Sequence, residues 1–277
     1  MKTIEIKKTF LRDYLKEQEK GLGGFLKQGK RWDLSQTLKE GGGAIFPHAF
    51  ISKCGDQIAA VVHGCFDSGA DQILALGVYH TQRNAELEEL KLKELRGENL
   101  TDSPYRGVFD QVEGEYSLLH FRALLQEEAR RRGSPCPRLI ERYPSLVCGS
   151  PETLPGIEEL ERIAKDSILV GTADLCHHGI AYDSAVPHLA GEELVQYVHE
   201  GIDKGFQFLR EGDFSKFLNN NFYYKSDGKD VCSIFHHLLH PFTAKTHSLR
   251  IIDTSSIFEG DPKPSWVAVA LIELIGC

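Results

Sequence analysis

The sequence predicts an α/β protein, a three-layer αβα sandwich around a mixed, largely parallel sheet. Two observations carry this. Apolar runs of strand length (AIFP, ILALGVYH, ILVGTA) alternate with longer stretches of helical period, which is the pattern of crossover-connected parallel strands. No internal repeat and no Pro-rich linker interrupts the 277 residues, so residues 1–277 read as one continuous domain with a helical extension over 1–40. Hydrophobic residues at 41% and charged residues at 26% are ordinary for a folded globular protein and exclude disordered, collagen-like and rod-like classes.

The first forty residues read as one or two polar, partly amphipathic helices that end at the turn Gly41-Gly42-Gly43, and a strand over 44–47 follows. Over 55–68, Ile58, Val61, Val62 and Cys65 share one helical face, and the chain then enters the buried-strand run ILALGVYH, giving a βαβ unit. The polar segment 82–99 has strong helix propensity and reads as a solvated helix or a flap over a site. Further helices are expected over 115–132, 155–166 and 191–212, near Phe214 and after Cys232. Strands are expected over 138–147, with Pro144 weakening it, then at 168–170, 249–257 and 266–275.

A net charge of −8 without a long basic block argues against nucleic acid or an anionic membrane surface and points to a small-molecule or peptide ligand. No apolar run reaches membrane-spanning length, the N-terminus is charged throughout, and the seven cysteines are dispersed without a CxxC pair. Together these predict a cytoplasmic protein with reduced, mostly core cysteines.

Three predicted strands end alike. AIFPH places His48 just past an apolar run, ILALGVYH places His80 there, and ILVGTADLCHHG places Asp174, His177 and His178 there. Ligands of open parallel sheets bind outside the strands' carboxyl ends, so these side chains can converge although they are far apart in sequence. Imidazoles with a carboxylate or thiolate make an ordinary coordination set for Fe, Zn or Cu, whereas a single such histidine more often hydrogen-bonds a backbone carbonyl. The run HHLLH at His236, His237 and His240 lacks the glutamate of HExxH and reads first as an amphipathic helix. Phosphate-loop, dinucleotide and GxSxG signals are absent.

At these residues the sequence resembles the Memo-like family, which includes the B component of the AMMECR1, Memo and radical-SAM gene cluster and which resembles the class III extradiol dioxygenases in fold and site layout. FPHAFISKCG is similar to that family's PHAGYxYSG, LGVYH to LGPSHH, GEYSLLHF to EHSIEMHLP, VGTADLCHHG to SSDxSHYG, and DVCSIFHHLL to its CGxxPI helix start. The resemblance covers most of the chain from about residue 40. It implies metal ligation by His48, His80 and Cys232, a carboxylate at Asp174, a general base at His177, and a pocket also lined by Glu115 and His120. Tyr116 stands where the family has the histidine of EHS, and Cys232-Ser233 replaces its Cys-Gly.

The implied activity is a redox or oxygenase-type reaction on a small molecule at non-haem Fe(II), with Cu or Zn as other metals. A binding module that keeps the pocket without turnover and a zinc-dependent hydrolase are the alternatives.

Overall fold

The computed structural model describes residues 2–80, 106–110, 112, 114–146, 150–179, 182, 189–255 and 265–276, with side chains from residue 8 onward. The segment 82–99, Cys148 and Cys277 lie outside the described residues. Among these residues the helices are α1 Lys2–Lys20, α2 Gly23–Gly29, α3 Ser35–Lys39, α4 Ile51–Asp67, α5 Leu119–Arg132, α6 Ile157–Ala164, α7 Gly191–Arg210, α8 Phe214–Tyr224 and α9 Lys229–Leu239. The strands are β1 Gly43–Phe46, β2 Gln72–Leu76, β3 Gly107–Phe109, β4 Arg138–Ser145, β5 Ile168–Thr172, β6 Cys176–His178, β7 Phe242–Asp253 and β8 Trp266–Gly276.

The sheet is mixed. In the order β3-β4-β2-β5-β1-β8-β6, the four central strands β4, β2, β5 and β1 run parallel, and the flanking pairings are antiparallel, with β7 added along β8. Strand alternation sorts the apolar side chains onto two faces. Ile45, Leu74, Leu76 and Leu169 point to a core shared with α6, α7 and α9, whereas Ala44, Phe46, Ile73, Ala75 and Val170 point to a core shared with α2 to α5. Helices therefore cover both faces, and β1, β2 and β5 are almost wholly apolar because neither face meets water, while β4 carries Arg138, Glu141 and Arg142 and stays partly exposed. No helix among the described residues is long and apolar enough to cross a membrane.

Several boundaries differ from the sequence reading, each for a packing reason. The N-terminal forty residues form three helices rather than one or two. α4 starts at Ile51, ahead of Gly55. That glycine sits inside the helix because a Cβ there would lie 2.8 Å from the Phe25 ring of α2. Helix α5 starts at Leu119, so Glu115 lies in the preceding turn. Pro144 is tolerated because the β2 ladder ends at the Leu76–Arg142 pair, leaving Pro144 opposite Val108 of the three-residue strand β3. β7 starts at Phe242, seven residues before the expected position; a register shift between Thr246 and Ser248 breaks the alternation that would have marked it.

Of the described cysteines, Cys54, Cys65, Cys176 and Cys232 are buried and free, and Cys136 is free and exposed.

Candidate metal centre

Five segments meet at the carboxyl edge of the parallel strands. His48 lies two residues beyond β1 and His80 four beyond β2, while Asp174 lies two beyond β5. His177 is not a loop residue but sits within β6, paired to Val267 of β8. The fifth segment is the turn between α8 and α9, which brings in Asp227.

Asp227 is the focus. Its Oδ2 atom lies 3.2 Å from His48 Nε2, 3.7 Å from His80 Nε2 and 4.0 Å from His177 Nε2. With metal–ligand bonds of about 2.0–2.2 Å, two donors on one ion stand at most ~4.4 Å apart, so these separations fit shared coordination. The donors fall into two sets, His48–His80–Asp227 and Asp174–His177–Asp227, with the ligand atoms in each set lying within 4.8 Å of one another.

The loops are cross-tied. The Asp174 amide donates to Asp227 Oδ1 at 2.8 Å and the Asp227 amide to the Asp174 carbonyl at 3.3 Å, while the His48 amide donates to Asp174 Oδ1 at 3.2 Å. Gly228 makes the approach possible, since a Cβ there would stand 2.6 Å from Ala173 Cβ.

The outward nitrogens are held too. His80 Nδ1 lies 3.0 Å from Glu115 Oε1, and His177 Nδ1 lies 2.7 Å from the Lys225 carbonyl. A carboxylate and a carbonyl only accept, so both rings carry their proton on Nδ1 and turn Nε2 toward Asp227. Lys225 is in the left-handed region at φ 53°, which aims its carbonyl at His177. Glu115 also accepts from the amides of His80, Tyr116 and Ser117 at 2.7, 2.7 and 2.9 Å. His48 Nδ1 lies 3.0 Å from Thr172 Oγ1.

Electrostatics follow from this packing. Burial pushes the His48 imidazole down, but the carboxylates of Asp174, Asp227 and Glu115 outweigh it and lift the pKa to about 9. Burial likewise opposes a rise at His80, where hydrogen bonds to Asp227 and Glu115 prevail. Glu115 is held at about 2, its desolvation being outweighed by His80 and the surrounding amides. Asp227 is desolvated yet lies well below the carboxylate range because His48, His80 and His177 surround it. Asp174 is raised, chiefly by burial. Without a cation, these carboxylates hold protons on the imidazoles that a metal would displace.

The structure brings His48, His80, Asp174, His177 and Glu115 together and leaves Cys232 outside. Cys232 belongs to neither donor set: it is in the first turn of α9 and is packed with Leu175, Ile202 and Phe206 in the hydrophobic core. Burial pushes its thiol up, so it stays protonated. Asp227, five residues earlier, stands among the candidate donors instead; an acid in a Ser-Asp-Gly turn just before a helix was the available signal. Asp174 stands beside His177 in the second donor set, and the Lys225 carbonyl holds the outward nitrogen of that ring.

His120 lies on α5 with its ring 5.7 Å from Tyr14 and its Nδ1 without a hydrogen-bond partner among the described residues. Burial and the charge on His48 push its pKa down to about 3, so it is neutral.

Aromatic rings flank the centre. Tyr116 stacks on His80 at 4.9 Å and on Phe10 of α1 at 5.5 Å, and Tyr182 packs on His177 at 4.6 Å. The sequence matches no known family model and no curated protein.

Proposed function

We propose that this chain is a Memo-like protein that binds non-haem Fe(II) through His48, His80 and Asp227 and carries out an oxygenase-type reaction on a small molecule. The observation that carries the reading is the convergence of His48 Nε2, His80 Nε2 and Asp227 Oδ2 on one point. Two histidines and one carboxylate with open positions form the donor set of non-haem Fe(II) oxygenases. Exchanging the expected thiolate for a carboxylate removes the soft donor that favours Cu(I). When bound, iron supplies a redox-active Lewis-acid centre with room for O2 and a chelating substrate.

The protein's own groups do the rest. Glu115 fixes His80 and raises its basicity as a ligand. His177, with its Nδ1 proton tied to the Lys225 carbonyl, presents a lone pair at Nε2 to take a proton from a substrate hydroxyl. Asp174, tied to the His48 amide, holds the two loops together beside it. Tyr116 and Tyr182 give the site aromatic walls. The same donor set serves catalytic zinc with a bound water, so a zinc hydrolase is the second reading.

Elemental analysis of protein purified without a chelator or metal column tests both. Near-stoichiometric iron in the wild type and in Cys232→Ser, lost in His48→Ala and Asp227→Ala, with metal-dependent O2 consumption, is the expected result. Zinc at that level moves the hydrolase reading ahead, and no metal after anaerobic Fe(II) addition overturns the proposal.

A further inference from the structure

Each of the three converging imidazoles has a different partner on Nδ1. Glu115 and the Lys225 carbonyl can only accept, so the tautomers of His80 and His177 are settled by chemistry. The partner of His48 is the hydroxyl of Thr172, which can either give or take a proton. In the neutral ring that a metal would bind, which it does decides whether the lone pair of His48 lies on Nδ1, facing Thr172, or on Nε2, facing Asp227.

We infer that Thr172 is a positioning residue that commits His48 to ligate through Nε2. Thr172 ends β5 in register with Phe46 of β1, and its Oγ1 lies 2.9 Å from the Phe46 carbonyl and 3.0 Å from His48 Nδ1. The hydroxyl has one proton. Donated to the Phe46 carbonyl, it leaves Oγ1 as an acceptor, and His48 must then carry its proton on Nδ1. Thr172 is wholly buried and His48 is 3% exposed, so water does not substitute for either partner.

The relay also ties ligand geometry to the sheet. The Phe46 carbonyl takes the Ala173 amide at 2.9 Å as well as the Thr172 hydroxyl, so β1 and β5 are joined at the level of the metal ligand. A threonine suits this place because its branched side chain favours a strand and leaves few rotamers for the hydroxyl. Valine has nearly the same shape and lacks the hydroxyl, so Thr172→Val removes the relay while keeping the strand; Thr172→Ser restores it.

This inference rests on the reading of His48, His80 and Asp227 as metal ligands. Anaerobic Co(II) titration, followed by the visible bands of the ion, tests both. Wild type is expected to bind Co(II), Thr172→Val to bind it about 10- to 100-fold more weakly, the range for losing an outer-shell partner of a ligating histidine, and Thr172→Ser to recover most of the loss. Melting of the metal-free variants at the wild-type temperature separates positioning from folding. Equal affinity of Thr172→Val and wild type, or no recovery in Thr172→Ser, overturns the inference and leaves the metal set standing. Absence of Co(II) binding by the wild type overturns both. A second measurement needs no variant: nitrogen-15 spectra of the Zn(II)-loaded wild type must show the His48 proton on Nδ1, and coordination through Nδ1 sinks the inference.

Discussion

Two groups of histidines in this chain make an instructive pair. His48, His80 and His177 come from separate loops and strands, point Nε2 at one carboxylate oxygen, and have each Nδ1 anchored to a hydroxyl, a carboxylate or a carbonyl. His236, His237 and His240 are closer in sequence and look more like a motif. Yet His236 packs its ring on Phe214 and His240, with Nδ1 lacking a hydrogen-bond partner among the described residues, and His237 turns away to Glu161 at 2.6 Å. Proximity of histidines is therefore not what marks a candidate metal centre. A shared anionic focus and a fixed tautomer for each ring are what the first group has and the second lacks.

The largest effect expected is at the focus itself. Asp227→Asn keeps the shape and removes the charge, and should weaken Fe(II) or Co(II) binding roughly 100-fold or more, because the protons held on His48 and His80 are then displaced without a charged ligand in return. His236→Ala and His240→Ala should leave that affinity unchanged. If His236→Ala and His240→Ala weaken metal binding as much as Asp227→Asn does, the contrast between the two groups fails. Next in size is Glu115→Gln, which leaves His80 with a weaker, neutral acceptor. About 10- to 100-fold loss of metal affinity is expected by calorimetric titration, without loss of the fold.

Proton linkage gives the two groups opposite signs. The pKa of His48 is raised to about 9, so its contribution to the stability of metal-free protein is complete below about 6.5 and fades as pH rises through 9. Glu115, lowered to about 2, contributes above about 4.5 and is lost as pH falls through 2. His236 is lowered by burial, so it opposes folding as pH falls below the ordinary histidine range. Metal-free wild type should therefore melt at a lower temperature at pH 10 than at pH 7, and His48→Gln should flatten that alkaline decline. Metal affinity should run the other way and rise with pH as the imidazoles lose their protons. A wild-type melting temperature that does not fall between pH 7 and pH 10 would contradict the charge pattern assigned to the centre.

How much of this was legible in the sequence depends on how each residue reaches the site. His48 and His80 follow their strands by two and four residues, so strand periodicity and the sheet-edge rule are enough to place them. Asp227 follows no strand. It arrives on a turn between α8 and α9 and is locked by hydrogen bonds to Asp174, 53 residues earlier, a relation that no local pattern encodes. Thr172 was hidden because it reads as one more β-branched strand residue. The parallel core was legible through its apolar runs, whereas the start of β7 was concealed by the shift at Thr246 and Ser248, which puts successive side chains out of the two-residue period.

Cys232 gives the smallest expected effect and the sharpest test of that lesson. By motif it is a ligand; by position it is one turn into α9, buried in the core cluster that includes Leu175, Ile202 and Phe206. Cys232→Ser should change metal affinity by less than the 10-fold that marks loss of even an outer-shell partner. Its cost should appear instead in stability, about 1–3 kcal/mol for burying a hydroxyl among apolar side chains, measured by denaturant titration of the metal-free protein. A Cys232→Ser variant that keeps its stability and loses its metal would mean that the thiol reaches the centre, and would return the third ligand from Asp227 to the helix.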